Sequence, residues 1–282
     1  MSNLVFKKNP LVESRYKLNP LELKIILSVI SMIEKDDSDF WTYQLRVKDL
    51  GEYKDLKRSC RSLLTKVFEV DTDRGWLMLN WFSSIEYIAK SGIIECSFDP
   101  KLKPYLLQIK DNFTAYTLKS VLPMRSSYSI RIYELLKQYE AIGSRVFDIE
   151  ELQDILKVPK SYRVWRAFNR RVLEPAKKEI NEYSDLKITY EAIKQGRKYT
   201  AVSFNIAPNL QKMPLKQYKA LVRSKCVGKT LLCTKDKKTG KKVELSVSEK
   251  GYLYNKLDPD WRITHKRAND IWLLLQREGV CL

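Results

Sequence analysis

An α+β fold of two tandem units, each a helix pair followed by a β-hairpin, with a small α/β extension at the C-terminus, is predicted by three observations. Between Ser161 and Ala176 the apolar residues Trp165, Phe168, Val172 and Ala176 recur at helical spacing, while Arg163, Arg166 and Arg170 ride the opposite side. A shorter helical pattern, Ile149 to Leu156, precedes this segment. Two alternating stretches, Leu186 to Lys194 and Tyr199 to Asn205, follow it around the turn Gly196-Arg197-Lys198. The first third of the chain repeats the same outline with weaker apolar anchors. The arginine comb alone reads better as the solvated face of an amphipathic helix; the helix before it and the basic hairpin after it change that reading. Helix, turn, helix and basic hairpin is the outline of a winged helix-turn-helix, whose second helix lies in the DNA major groove.

Taken in order, Asn9 to Lys17 reads as an extended arm, and Asn19-Pro20 starts a helix through Ile33. Asn19 caps that helix, Pro20 fits its first turn, and Leu23, Ile26, Leu27 and Ile30 form the buried stripe. A strand from Phe40 to Arg46 follows, then a short helix from Val47 to Gly51. The next helix, Leu56 to Val67, turns Leu56, Cys60, Leu63, Leu64 and Val67 inward and Lys54, Lys57, Arg58 and Arg61 outward. Phe68 to Asp71, Trp76 to Ile88 and Ile93 to Phe98 alternate as strands, with a turn at Ala89 to Gly92, and a helix runs from Pro100 toward Leu107. Pro123 marks the boundary between the two units. A helix from Ser126 to Tyr139 opens the second unit, and a brief strand covers Arg145 to Phe147. Asp148 caps the following helix, with Glu151 placed to complete a capping box. Pro175 falls inside the main helix, where a kink or restart is expected. The domains are therefore 1–122, 123–212 and 213–282.

Charge points to a polyanionic partner: 52 Lys and Arg against 34 Asp and Glu leave the chain at +18. No apolar run reaches the length of roughly 18 residues that spans a bilayer, and the N-terminal residues lack the pattern of a signal peptide, so nucleic acid is preferred over a membrane. The five cysteines, Cys60, Cys96, Cys226, Cys233 and Cys281, form no C-x-x-C pair. Reduced thiols in a cytoplasmic protein are expected, with no disulfide framework and no zinc module.

Several short patterns resemble the iteron-binding replication initiators of theta-replicating plasmids, which have two winged-helix domains. They are Phe113-Thr-Ala-Tyr-Thr-Leu, Ser127-Tyr-Ser-Ile-Arg-Ile-Tyr-Glu-Leu-Leu-Lys, Tyr162 with Phe168-Asn-Arg-Arg-Val-Leu, Glu179-Ile-Asn, and Gly196-Arg-Lys followed by Phe204. Asn9-Pro-Leu-Val-Glu-Ser-Arg-Tyr and Leu18-Asn-Pro-Leu-Glu resemble the family's opening. The resemblance covers roughly residues 1 to 212. It implies a non-enzymatic initiator that binds directly repeated origin sequences, opens the origin, recruits a host replication initiator and the replicative helicase, and represses its own promoter as a dimer. A transcriptional repressor on the same fold is the alternative, because fold alone does not separate the two.

The tail from Met213 has no counterpart in the resemblance. It holds 16 Lys or Arg and 7 Asp or Glu, and reads as a hairpin (Thr230 to Thr234, Lys242 to Val247) with a helix from Ala268 to Arg277; its charge makes it a candidate second DNA contact, and a small packing module with a solvated lysine-rich turn is at least as good a reading. Val227-Gly-Lys-Thr230 lacks the earlier glycine of a phosphate-binding loop. His265 is the single histidine, which closes the route through a His-hydrophobic-His metal pair; a Ser-His-Asp arrangement would have to use the same residue, which is flanked by Thr264 and Lys266 with no glycine-framed nucleophile nearby and reads better as a surface or capping residue. Asp36, Asp37 and Asp39 read as a solvated turn. No cofactor and no metal are expected.

The expected DNA contacts are Arg163, Arg166, Asn169, Arg170 and Lys177 on the main helix, and Lys194, Arg197 and Lys198 in the wing. Lys54, Lys57, Arg58 and Arg61 are expected to make a second contact from the first unit. Self-association is expected through the strand Trp76 to Phe82 and its partner Ile93 to Phe98, with Leu79→Lys as the disrupting change if Leu79 is exposed.

Overall fold

The computed structural model describes residues 4–34, 36–50, 56–209, 212, 230–235, 242–247, 253–255 and 257. Two compact units divide the chain, Met1–Ala207 and Pro208–Leu282.

In the first unit, strand β1 (Leu4–Lys8) runs into helix α1 (Asn9–Glu13). The arm expected from Asn9 onward is therefore helical at its start. Pro10 suits a first helical turn, and Leu11 and Val12 are fully buried, so burial of this apolar pair fixes the turn. Helix α2 (Pro20–Ile30) stops three residues before the expected Ile33. Asn19 and Glu22 form a reciprocal capping box, the Asn19 side chain accepting from Glu22 N at 2.9 Å and Glu22 Oε2 accepting from Asn19 N at 2.7 Å. Its buried surface is wider than one stripe, because Ile25 and Val29 are buried along with Leu23, Ile26, Leu27 and Ile30.

Strand β2 (Tyr43–Arg46) leads through a 3₁₀ turn (Val47–Leu50) toward helix α3 (Leu56–Thr65). Along α3, Leu63 and Ser59 are buried and Leu56, Cys60 and Leu64 half-buried. Val67, expected to face inward, is exposed, since the helix ends before reaching it. Strands β3 (Phe68–Thr72) and β4 (Gly75–Leu79) form one hairpin, and β5 (Phe82–Ile88) and β6 (Ile93–Phe98) another. The single strand expected from Trp76 to Ile88 is thus broken at Asn80 and Trp81. Trp81 and Phe82 are both buried, and successive residues of one strand face opposite sides, so the chain must turn for both to reach the core. Trp81 stacks on Phe68 at 4.5 Å between centroids, and Asn80 Nδ2 donates to Leu64 O at 3.2 Å.

A 3₁₀ turn (Pro100–Leu102) and helix α4 (Lys103–Leu106) lead to β7 (Phe113–Thr117), which pairs antiparallel with β1. Helix α5 (Ser127–Lys137) is capped by Ser126 and buries Ile130, Ile132, Tyr133, Leu135 and Leu136 together with the charged Arg131 and Glu134. Then come β8 (Ser144–Asp148), α6 (Ile149–Ile155), α7 (Trp165–Phe168), a π-helical turn (Asn169–Leu173), α8 (Glu174–Tyr183), β9 (Leu186–Gln195) and β10 (Lys198–Pro208).

The sheets β2-β6-β5 and β8-β10-β9 share one topology, with the third strand of each set lying between the first and second. Each set is interleaved with helices in the same order: α2, the Val47–Leu50 turn and α3 in the first copy, α5, α6 and α7–α8 in the second. This is a winged helix twice over, and the β3–β4 hairpin is an insertion in the first copy. The unit from Pro208 contains an antiparallel sheet of β11 (Thr230–Lys235), β12 (Lys242–Val247) and β13 (Leu253–Asn255) in that order, with Leu245 and Ser246 buried. The expected helix from Ala268 to Arg277 lies outside the described residues, as do His265 and the Val227-Gly-Lys part of the sequence before Thr230.

Candidate nucleic-acid interface

The main helix of the second winged unit is held at its start by aromatic stacking and along its length by apolar contacts. Phe168, Val172 and Ala176 are buried, as their spacing predicts, and Trp165 is half-buried, stacked on Tyr199 of β10 at 4.5 Å and 21°. Helix and wing are therefore joined through an aromatic pair. Asp148 caps α6 through its side chain, accepting from Glu150 N and Glu151 N; Glu151 does not complete the reciprocal half of the expected box.

At Pro175 the helix adjusts as expected: α8 starts at Glu174 with Pro175 in its first turn. Directly before it the backbone widens into the π turn, where Glu174 N donates to Asn169 O, five residues back. A proline lacks the N–H that would bond four residues back and crowds that carbonyl, so a wider turn just ahead of it relieves both demands.

The predicted cations divide by what they touch. Arg163 is not on the helix: it precedes α7, its Nη2 donates to Asp154 Oδ1 at 2.5 Å and its Nε to Val158 O at 3.2 Å. The sequence expectation that it rides the comb fails because the preceding 3₁₀ turn (Lys160–Tyr162) ends the helical spacing there. Lys198 pairs with Glu150 at 2.8 Å, Lys194 lies over the Tyr199 ring at 4.5 Å, and Lys177 lies over Tyr190 at 5.6 Å. Arg166, Arg170 and Arg197 are exposed and, among the described residues, make no side-chain hydrogen bond or ion pair. Arg171, on the same helix, donates to Tyr162 Oη at 3.4 Å and lies over its ring.

Asn169 is half-buried on the same helix. Tyr190 Oη on β9 lies 2.7 Å from Asn169 Oδ1 and 2.5 Å from Glu174 Oε1. Neither Tyr190 nor Glu174 stands out in the sequence, since one sits in an alternating strand and the other reads as a surface charge.

In the first winged unit, Lys57 and Arg61 are exposed on α3 and border a groove between α3, the Arg46 to Lys48 segment and the β5–β6 hairpin, floored by Leu64, Ile85 and Ile94. Arg58 is exposed as well. Lys54 lies outside the described residues. Among the described residues no helix is long and apolar enough to cross a membrane, and no group of His, Cys, Asp or Glu is arranged to hold a metal ion.

Residues 4–137 match the family described as Initiator Replication protein, WH1, and residues 148–206 match Initiator Rep protein, WH2. The chain is 27% identical over 278 residues to a replication initiation protein of Escherichia coli, spanning 91% of this chain and 82% of that one. It is 31% identical over 118 residues to an uncharacterized 27.6 kDa protein of Escherichia coli, spanning 42% of this chain and 49% of the relative. Among solved structures, the Pi initiator protein in complex with iteron DNA matches with a TM-score of 0.60 at 20% identity, over 73% of this chain and 97% of that one, a likeness of fold.

Proposed function

The chain belongs to the initiator replication protein family, and from that premise we propose that it binds directly repeated origin DNA, opens the duplex beside the repeats, and recruits a host replication initiator and the replicative helicase. As a dimer it represses its own promoter. It acts in the cytoplasm, and its output is binding and assembly rather than catalysis.

The observation that carries this reading is the set of cations without a side-chain partner among the described residues, Arg166 and Arg170 on the helix and Arg197 at the wing tip, exposed on elements joined by the Trp165–Tyr199 stack. A cation with no protein partner is free to meet phosphate or a base edge without first giving up an ion pair. In this proposal residues 123–212 read base edges through Arg166, Asn169 and Arg170, with Lys177, Lys194, Arg197 and Lys198 on the phosphates. Residues 1–122 add a second contact through Lys54, Lys57, Arg58 and Arg61 and supply the dimer surface, and residues 213–282 add a basic segment.

Permanganate probing of supercoiled DNA carrying the gene's flanking sequence tests the step that separates an initiator from a repressor. Thymines in an A·T-rich segment beside the bound repeats should become reactive when the protein is added. Full occupancy of its sites with unreactive thymines throughout would support the repressor instead.

A further inference from the structure

The Tyr190 hydroxyl has one proton and two neighbours, and both atoms placed beside it accept: Asn169 Oδ1 at 2.7 Å and Glu174 Oε1 at 2.5 Å. An ionised carboxylate can only accept, whereas the two ends of an asparagine amide occupy nearly the same volume and differ in role. The contacts are both satisfied in one way. Tyr190 donates to Glu174 in a short charge-assisted bond, and the Asn169 amide turns its Nδ2 toward Tyr190 Oη and donates to it. Burial, with the Glu174 carboxylate beside it, holds the Tyr190 phenol well above its ordinary value, so that proton stays on the phenol.

The π turn brings the two helix residues together. In an α-helix residues five apart lie about 140° from each other around the axis, whereas the i→i+5 bond of the Asn169–Leu173 turn stacks Asn169 beside Glu174. Both side chains can then reach one tyrosine on the wing strand β9. The other amide position of Asn169 makes no hydrogen bond among the described residues.

We propose that Tyr190 and Glu174 are positioning residues that hold the Asn169 amide with Oδ1 and its remaining Nδ2 proton turned away from the wing, so that Asn169 reads adenine and rejects guanine. Adenine presents an N6 donor beside an N7 acceptor in the major groove, while guanine presents two acceptors, which the opposite amide orientation would favour. This inference rests on the reading that the Trp165–Tyr183 helix enters the major groove.

Equilibrium binding of the full chain to a randomised duplex library tests it. Asn169→Ala should flatten an adenine preference at one position. Tyr190→Phe, which keeps the ring against Phe204, should lower adenine-over-guanine preference at that position by about tenfold, leaving other positions and the thermal midpoint unchanged. Glu174→Gln, whose amide can donate to or accept from Tyr190, should give a smaller loss at the same position. An unchanged adenine-over-guanine ratio in Tyr190→Phe overturns the proposal, as does an Asn169→Ala protein with wild-type preferences. If Arg166→Ala and Arg170→Ala still lose base preference in that last case, adenine reading by Asn169 falls together with the positioning role while the groove reading stands; if all three variants keep wild-type preferences, the groove reading falls as well.

Discussion

Glu134 on α5 and Lys7 on β1 form an ion pair with both side chains buried. Tyr116 Oη donates to the same carboxylate at 2.5 Å and Arg131 Nη1 at 3.2 Å, while Arg131 also donates to Tyr16 Oη at 2.7 Å and to Ser14 O at 2.9 Å. One carboxylate thus ties α5 to the two strands β1 and β7, and one guanidinium ties it to the segment after α1.

Glu134→Gln should destabilise the protein by about 3–5 kcal/mol, because it leaves two buried cations without an anion. Urea unfolding at neutral pH measures this, and a wild-type midpoint would contradict it. The pH dependence follows with a definite sign. Burial alone would raise the Glu134 carboxyl, but Lys7 and Arg131 outweigh burial and hold it below the usual carboxylate range. Its contribution is full above the unfolded-state value of about 4.3 and is lost as pH falls through the depressed folded value. Wild-type stability should therefore fall in that acid window more steeply than that of Glu134→Gln.

Arg170→Ala should relax preference at one base step at a cost of about 1–3 kcal/mol. Competition binding against single-base variants of a site checks it. Equal weakening on every sequence would assign Arg170 to phosphate.

Arg197→Ala should lower the slope of log affinity against log salt by about 0.9 without changing site preference. An unchanged slope would remove the wing tip from the phosphate contacts. Lys198 is a poorer choice for this measurement, because its pairing with Glu150 mixes a lost contact with a freed carboxylate.

The apolar periodicity of the main helix was readable in the sequence because Phe168, Val172 and Ala176 answer to one local rule. Arg163 falls off the comb because the 3₁₀ turn before α7 ends the helical spacing there, and its guanidinium reaches back to Asp154, nine residues away. The break at Trp81 was hidden for a similar reason: strand alternation is visible locally, whereas the stacking of Trp81 on Phe68 is a tertiary fact that overrides it. The Asn169–Tyr190–Glu174 contact was out of reach too, because it needs a π turn that no residue type announces, although Pro175 marks where the helix must adjust.

The proposed self-association through β4 is tested by a different substitution than Leu79→Lys, and the strand partner expected for β4, Ile93–Phe98, pairs with β5 instead while β4 pairs with β3. Leu79 is buried, so a lysine there would unfold the hairpin. Trp76 and Met78 on the same strand are 66% and 53% exposed, and among the described residues β4 pairs with β3 alone. Met78→Lys should shift the protein toward monomers, strengthen binding to one repeat and weaken binding to an inverted operator. The reason is a competition: one rigid arrangement of the two winged units cannot serve a two-fold operator and a direct repeat equally. Sedimentation with gel shifts on both DNAs checks it, and a folded monomeric variant with wild-type operator affinity would contradict that competition.

The most direct measurement is footprinting of the full chain on the DNA flanking its own gene. Recognition by two winged units should protect a set of direct repeats spaced by about two helical turns, each protected stretch longer than a single helix-turn-helix covers. Protection confined to one inverted operator, or spread without sequence preference, would contradict the assignment as an origin-binding initiator.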